Sequence, residues 1–284
     1  MISVIILTYN EKPNIRTCLG SIADLTDDII IVDSFSTDET LDICKEFGCR
    51  IFQNPFINQA HQFNWALDQV VIKYDWVLRL DADEIVPDKL KAEMRSTVGK
   101  EAGVNGYHLN RRMIWMNRWL KHGRMYPHYI LRLFRKGCGH YELKTEEHLI
   151  VSGSTAYMKN DFLEDNRNNT LDYFTLKHIK TAIGELEELL RPVPLDVYVA
   201  PSLFGKKINR TRWLKERLYS CAPLFVRPFL YFFYRYIICL GFLDGKPGLI
   251  WHVLQAFWYR FYIDAKVYEE RSGWEKVQNN YKDI

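Results

Sequence analysis

The N-terminal third of this 284-residue chain predicts an α/β fold built on a doubly wound, mostly parallel, Rossmann-like sheet. Three observations carry that prediction. The runs Ile2-Ser3-Val4-Ile5-Ile6-Leu7 and Ile29-Ile30-Ile31-Val32 are apolar without alternation, as parallel strands covered on both faces are. Helical segments separate each such run from the next. Each run also ends in polar or acidic residues: Thr8–Glu11, Asp33–Asp38 and, after Trp76–Leu80, the cluster Asp81-Ala82-Asp83-Glu84. These lie at the carboxyl ends of strands, the edge where open α/β sheets hold their ligands.

The elements follow in order. Ser3–Thr8 is the first strand, and Pro13-Asn14 opens a helix through about Ile22, proline being suited to a first helical turn. Asp28–Asp33 gives the second strand and Asp38–Phe47 the second helix. Arg50–Gln53, Gln59–Lys73 and Trp76–Leu80 continue the alternation as strand, helix and strand. From about Gly106 the pattern changes: Tyr107–Met113 and Ile130–Phe134 read as strands around the aromatic stretch Trp115–Tyr126. Glu147–Ser152 and Ala156–Met158 read as short strands, and Asn169–Leu190 as a long helix. The composition shifts again past Pro192, so the expected organisation is a domain over residues 1–191 and a helical extension over 192–284.

The formal charge is only +3, but residues 203–236 carry eight Lys/Arg (Lys206, Lys207, Arg210, Arg212, Lys215, Arg217, Arg227, Arg235) against the single acid Glu216. Such an excess suits an anionic partner, lipid headgroups or nucleic acid. No nucleic-acid recognition motif accompanies it, and it adjoins the hydrophobic stretch Leu224–Leu243, which favours lipid. Arg227 and Arg235 inside that stretch are costly at mid-bilayer depth. Attachment in the membrane interface is therefore the expectation, ahead of an ordinary packed helical subdomain or a true span. Six cysteines without CxxC or zinc spacing read as free thiols. A start directly in a strand, without a basic n-region, places the expected chain in the cytoplasm, peripheral on the inner face of the plasma membrane.

An Asp-x-Asp pair after a buried strand suits a hard divalent cation that shares its shell with substrate phosphates. Asp81 and Asp83 are thus candidate ligands for Mn²⁺ or Mg²⁺. Thr8, Tyr9, Asn10 and Glu11 end the first strand at the same edge, and Asp33 with Ser36 ends the second. Asp33 is placed to accept hydrogen bonds from a ribose or base, and Asp38 to cap a helix. Gln62 and Asn64, near the start of the third helix, complete a set suited to a nucleotide-sugar pocket.

The ordered series Val4–Glu11, Ile31–Ser34 with Ser36–Asp38, Gln62–Ala66 and Leu80–Glu84 resembles a family 2 glycosyltransferase of GT-A fold. Arg132-Leu133-Phe134, Glu147-His148-Leu149 and Gly241–Gly248 resemble later parts of bacterial members that build lipopolysaccharide cores and exopolysaccharides. In the lipopolysaccharide-core branch one motif usually reads Val-His-Glu, and Thr145-Glu146 replaces its Val-His here, so no role passes to that histidine.

The resemblance implies an inverting transfer from a nucleotide-diphosphate sugar, UDP in expectation, to a lipid-linked or lipopolysaccharide-type glycan. Thr8, Asn10, Glu11 and Asp33 would hold the nucleoside, Asp81 would face ribose or diphosphate, and Asp83 would be the principal metal ligand. Arg132 is a candidate for diphosphate or acceptor binding, with packing an equal reading. Glu147 is the expected catalytic base, with Glu146, His148 and Asp165 as competitors. Trp115, Trp119 and Tyr126 are candidates for stacking on a sugar ring, and equally for the core. A sugar-phosphate nucleotidyltransferase would carry a Gly-rich phosphate loop near the N-terminus, and Thr8–Asn14 offers none.

Overall fold

The computed structural model describes residues 1–98, 100, 103–142, 149–168, 170–190 and 222–272. The chain divides into two compact units, Met1–Thr170 and Leu171–Ile284.

In the first unit β1 (Ile2–Thr8), α1 (Lys12–Ile22), β2 (Ile29–Asp33), α2 (Thr40–Glu46), β3 (Arg50–Gln53), α3 (Gln59–Gln69) and β4 (Trp76–Asp81) follow one another in the expected alternation. Next come β5 (Glu84–Ile85), α4 (Asp88–Thr97), β6 (Val104–Trp115), β7 (Arg118–Trp119) and β8 (Tyr129–Arg135). The unit closes with β9 (Gly139–Tyr141), β10 (Leu149–Val151) and β11 (Ser154–Glu164). Among the described residues one nine-stranded sheet runs in the order β3-β2-β1-β4-β8-β6-β11-β5, with β7 paired to β6, and β9–β10 form a separate ribbon. β1 is parallel to β2 and β4, β2 is parallel to β3, and β6 is parallel to β11. β8 lies between β4 and β6 and runs against both.

The apolar runs are unbroken because both faces of β1 and β2 are covered. Val4, Ile6 and Ile31 join Ile15, Leu19 and Ile22 of α1 in one core cluster. Ile5, Ile30 and Val32 join Ala60, Phe63 and Ala66 of α3 on the opposite face. Each such side chain, fully buried, contributes about 1.5–3 kcal/mol relative to exposure. At the edge opposite the carboxyl ends, the buried Asp28 accepts from Ser3 Oγ, from Arg50 Nη1 (2.8 Å) and from the Lys73 N–H (3.1 Å), tying together the beginnings of four strands, β1 to β4.

Three differences from expectation have local causes. α3 ends at Gln69, not Lys73: Val70 turns extended and opens a run of β-branched residues that resists helix. α4 was not expected, because its sequence is largely polar and only Leu90, Lys91 and Met94 of its inner face are buried. The expected boundary at 191/192 falls at 170/171, because α5 (Leu171–Leu190) sends Ala182 and Leu186 into a cluster with Tyr259, Ile263 and Val267.

The second unit holds α5, then α6 (Val226–Phe233) continuing as a π turn over Tyr234–Ile238. A 3₁₀ turn (Gly241–Asp244), α7 (Gly245–His252), a second π turn (Val253–Trp258) and α8 (Tyr259–Ser272) follow. Six of the eight residues of the basic stretch (Lys206, Lys207, Arg210, Arg212, Lys215, Arg217) lie outside the described residues. The remaining two turn inward: Arg227 Nε donates to the buried Asp264 at 2.7 Å, and Arg235 is 9% exposed. No single described helix is long and apolar enough to cross a membrane; Val226–Ile238 and Gly241–Ser272 qualify only as a pair bent by 69°.

Candidate active site

The carboxyl ends of β2, β1 and β4 lie side by side, because Thr8 pairs with Asp33 and Leu7 with Asp81 in the parallel register. The two loops leaving β1 and β2 are stapled together. Thr8 Oγ1 donates to Asp33 Oδ1 at 2.9 Å, and the Ser34 N–H donates to the Thr8 carbonyl. Asn10 takes a left-handed conformation (φ 54°), a position asparagine tolerates better than most residues. There its N–H reaches Ser36 Oγ (2.9 Å) and its side-chain oxygen accepts from the Thr37 N–H (2.8 Å). The Glu11 N–H donates to Thr40 Oγ1 at 2.8 Å, while its carboxylate accepts from Asn14 Nδ2 at 2.7 Å.

Asp33, expected to face a ribose or base, is fully buried. It accepts from Thr8, from the Ser36 N–H (2.8 Å) and from Gln53 Nε2 (3.3 Å), so in this structure it shapes the loop that carries Ser36. Tyr9 stays exposed. Asp38 caps the start of α2, accepting from the Thr40 N–H at 3.0 Å.

At the end of β4 the acids divide their tasks. Asp81 Oδ1 accepts from Arg79 Nη2 at 2.9 Å and Asp81 Oδ2 from Arg132 Nη2 at 2.8 Å. Both oxygens are thus engaged by guanidinium groups, which orient the carboxylate expected to face the metal, ribose or diphosphate. Glu84 is fully buried: it accepts the Asp81 N–H at 2.9 Å and bonds Arg132, a structural role. Burial pushes the Glu84 carboxyl up to about 8; Arg132 pulls against that rise, while Asp81 and Asp83 add to it. For Arg132 burial works against the charge, yet Asp81 and Glu84 outweigh it and hold the guanidinium more firmly protonated. Arg132 is therefore an internal brace, with a side chain 4% exposed, which agrees with the packing alternative of the sequence analysis.

Asp83 remains half-buried in the turn, and its carbonyl accepts from the Asp165 N–H at 3.0 Å. Antiparallel pairing of β5 with the end of β11 fixes the same turn from its other side. Among the described residues no group of three or more His, Cys, Asp or Glu side chains forms a metal cage. A single half-buried carboxylate nonetheless fits Mg²⁺ or Mn²⁺ arriving with a diphosphate, since such ions keep most of their shell for phosphate oxygens and water.

Gln62 and Asn64 serve the scaffold instead of the expected pocket floor. Gln62 is fully buried and bonds Asn54 (2.7 Å) and Ser34 (3.2 Å). Asn64 pairs with the Tyr141 backbone in both directions, at 2.8 and 2.9 Å, and so anchors β9. Trp115 is a core residue. Trp119 lies under Arg112 and Lys121 and edge-on to Tyr126, whose hydroxyl donates to Asp161 at 3.1 Å. Glu147, Glu146 and His148 lie outside the described residues. Asp165 is described, and its backbone lies against the Asp83 turn.

Sequence reasoning passed over Arg79 and Tyr141. Arg79 is 6% exposed and is held by Tyr141 Oη (2.7 Å) and Gln59 Oε1 (3.0 Å) while it grips Asp81. The signal was present: a lone arginine inside an apolar strand, two residues before an aspartate, shares that aspartate's face.

The glycosyl transferase family 2 model matches residues 3–166, more than half of the chain and the whole span of the site just described. The chain belongs to glycosyl transferase family 2. Within the family it is 37% identical to an uncharacterized glycosyltransferase of Rickettsia typhi over 93 residues, 33% of this chain and 31% of that protein. The chain thus spans about a third of the length of the Rickettsia relatives it matches. It is 22% identical to the lipopolysaccharide core biosynthesis glycosyltransferase LpsC of Rhizobium meliloti over 95% of this chain and 93% of that one. A similar solved structure is glucosyl-3-phosphoglycerate synthase from Mycobacterium tuberculosis in complex with Mn²⁺, uridine diphosphate and glucosyl-3-phosphoglycerate. It is 24% identical with a TM-score of 0.35, over 39% of this chain and 44% of that one. The family assignment and the observed α/β sheet agree on a GT-A-like fold for the first unit.

Proposed function

We infer that the protein transfers a sugar, with inversion, from a UDP-type nucleotide sugar to a lipid-linked or lipopolysaccharide-core glycan at the cytoplasmic membrane face. One observation carries the reading: in a family 2 chain, Thr8–Glu11, Asp33–Ser36 and Asp81–Glu84 converge on one edge of three adjacent parallel strands. The similarity to LpsC over nearly the full chain supports the lipopolysaccharide-type acceptor.

The residues divide the work accordingly. The stapled β1 and β2 loops hold the nucleoside against the strand ends. Asp83 would hold Mg²⁺ or Mn²⁺, which when bound neutralises charge gathering on the departing diphosphate. Arg79 and Arg132 keep Asp81 fixed, so the turn that carries Asp83 is rigid before the donor arrives, which favours orientation of the reacting groups. Glu147 takes the proton of the acceptor hydroxyl as that oxygen attacks the anomeric carbon. Asp165 is the second candidate for that proton, on the strength of its place beside the Asp83 turn.

Calorimetric titration with UDP-sugars, with and without Mn²⁺, tests the reading. Metal-dependent binding of one UDP-sugar, followed by slow UDP release, is the expected result. Binding of no nucleotide sugar under either condition would overturn it. E147Q should lower kcat by about 10²–10⁴-fold with donor affinity preserved, the range typical of a lost general base.

A further inference from the structure

One stretch of the second unit, residues 226–253, exposes much of its apolar surface. Between Val226 and Val253, Phe229, Leu230, Phe233, Ile238, Leu240 and Leu243 are each between 46% and 59% exposed. Four of the five charged or histidine side chains of the same stretch are turned inward. Arg235, Asp244 and His252 are 9% exposed or less, and Arg227 is paired with the buried Asp264. Lys246 is the one exposed charged side chain there among the described residues. A soluble helical hairpin shows the reverse arrangement, and contiguous apolar patches of this kind mark a partner surface.

Three backbone hydrogen bonds also run through the bend. Leu240 takes a left-handed conformation (φ 60°) between the two legs. Around it the Cys239 N–H donates to the Tyr234 carbonyl (2.9 Å), the Leu240 N–H to Ile237 (3.1 Å) and the Leu243 N–H to Leu240 (3.0 Å). Lipid demands such internal satisfaction of backbone polar groups, whereas water does not. The bend is packed tightly around its polar centre: a Cβ at Gly241 would lie 2.6 Å from His252 Nε2, and one at Gly248 2.6 Å from the Asp244 Cβ.

We propose that Val226–His252 is a re-entrant membrane device whose apex, Cys239–Leu243, enters one leaflet of an anionic bilayer, both legs leaving on the side they entered. The proposal rests on the membrane-face reading above and specifies its mode. The first leg, Val226–Ile238, rises about 20 Å at 1.5 Å per residue. That is short of the roughly 30 Å hydrocarbon core and ample for one leaflet. The 69° bend lets two legs, each inclined to the bilayer plane, form a shallow V with its apex inside one leaflet. Arg227 and Arg235 would be costly at mid-bilayer depth if they faced lipid, but both side chains turn into the interior of the unit. Lys206, Lys207, Arg210, Arg212, Lys215 and Arg217 precede the first leg in sequence and bring a positive charge that suits anionic headgroups.

Depth-dependent quenching of the full-length protein on phosphatidylglycerol-containing vesicles tests this. Cys49, Cys138, Cys221 and Cys239 are changed to serine, and a fluorophore is placed at Leu240→Cys or, for comparison, Tyr268→Cys. Position 240 should be quenched at least two-fold more by acyl-chain spin labels than by headgroup labels, and position 268 the reverse. An impermeant maleimide added outside the vesicles should reach cysteines at Phe35 and after Ile284 alike. Leu243→Asp should weaken vesicle binding at least ten-fold with UDP-sugar binding unchanged. Vesicle binding with headgroup-level quenching at 240 would overturn insertion and leave surface attachment standing; no vesicle binding would overturn both. Protection of the C-terminal cysteine alone would mean a span. A lipid-free dimer that shields position 240 would mean a second copy as the occupant; either result overturns the proposal.

Discussion

Arg132 and Asp81 meet across antiparallel strands β8 and β4, Nη2 to Oδ2 at 2.8 Å, and the same guanidinium also holds Glu84. A buried charge so placed braces the acidic turn and at the same time depends on it. Removing one partner of a buried pair leaves the other uncompensated and costs about 3–5 kcal/mol. R132M should therefore lower the melting temperature markedly. R132M/E84Q should recover most of that stability without recovering donor affinity, because Asp81 keeps only one of its two guanidinium braces, Arg79. Thermal melts and calorimetry on the same samples separate the two effects.

Asp83 and Asp81 should differ in what their loss removes. D83A, at a half-buried turn position, should leave the melting temperature within a few degrees and weaken Mn²⁺-dependent UDP-sugar binding at least ten-fold, about 1.4 kcal/mol. D81N should weaken binding too, but with a clear loss of stability, since it leaves Arg79 and Arg132 short of a charged acceptor. Equal metal dependence in D83A and the unaltered protein would remove Asp83 from the metal's shell.

Asn64 provides a test of scaffold against pocket. N64L removes both side-chain bonds to the Tyr141 backbone and should cost about 1–3 kcal/mol. The Michaelis constant for the nucleotide sugar should stay within two-fold of the unaltered value at temperatures where the variant is folded. A large rise in that constant with no loss of stability would return Asn64 to the pocket.

Asp28 sets an expected acid limb. Burial raises its pKa, but the bonds from Ser3, Arg50 and the Lys73 N–H outweigh it and leave the carboxyl below its ordinary value. A carboxyl depressed in the fold contributes stability that is present above the unfolded value, near pH 4, and lost as pH falls through the lower folded value. D28N should thus cost about 1–3 kcal/mol at neutral pH. The gap between D28N and the unaltered protein should narrow below pH 4 in chemical denaturation.

Much of the first unit was legible because its strands are buried on both faces and announce themselves as apolar runs, with β3 matching residue for residue. The placement of Thr8, Asp33 and Asp81 at one edge followed from that alternation. Legibility failed where a polar residue works inside the protein. Gln62 and Asn64 look from sequence like groups awaiting a ligand, yet each is spent on a partner brought near by the fold, Asn64 on a backbone 77 residues away. Sequence spacing carries no record of such a meeting. Arg227 and Arg235 misled in the same sense: their number was visible and their inward direction was not.

The brace on the acidic turn has a consequence for synthesis. β4 is complete at residue 81, but β8, which supplies Arg132, ends at residue 135, and β11, which pins β5, ends at residue 164. A chain emerging N-terminus first can assemble β1–β4 early, yet its Asp81–Glu84 turn holds three carboxylates against Arg79 alone until β8 arrives. The acidic turn is thus completed late in translation, when nearly the whole first unit has left the ribosome.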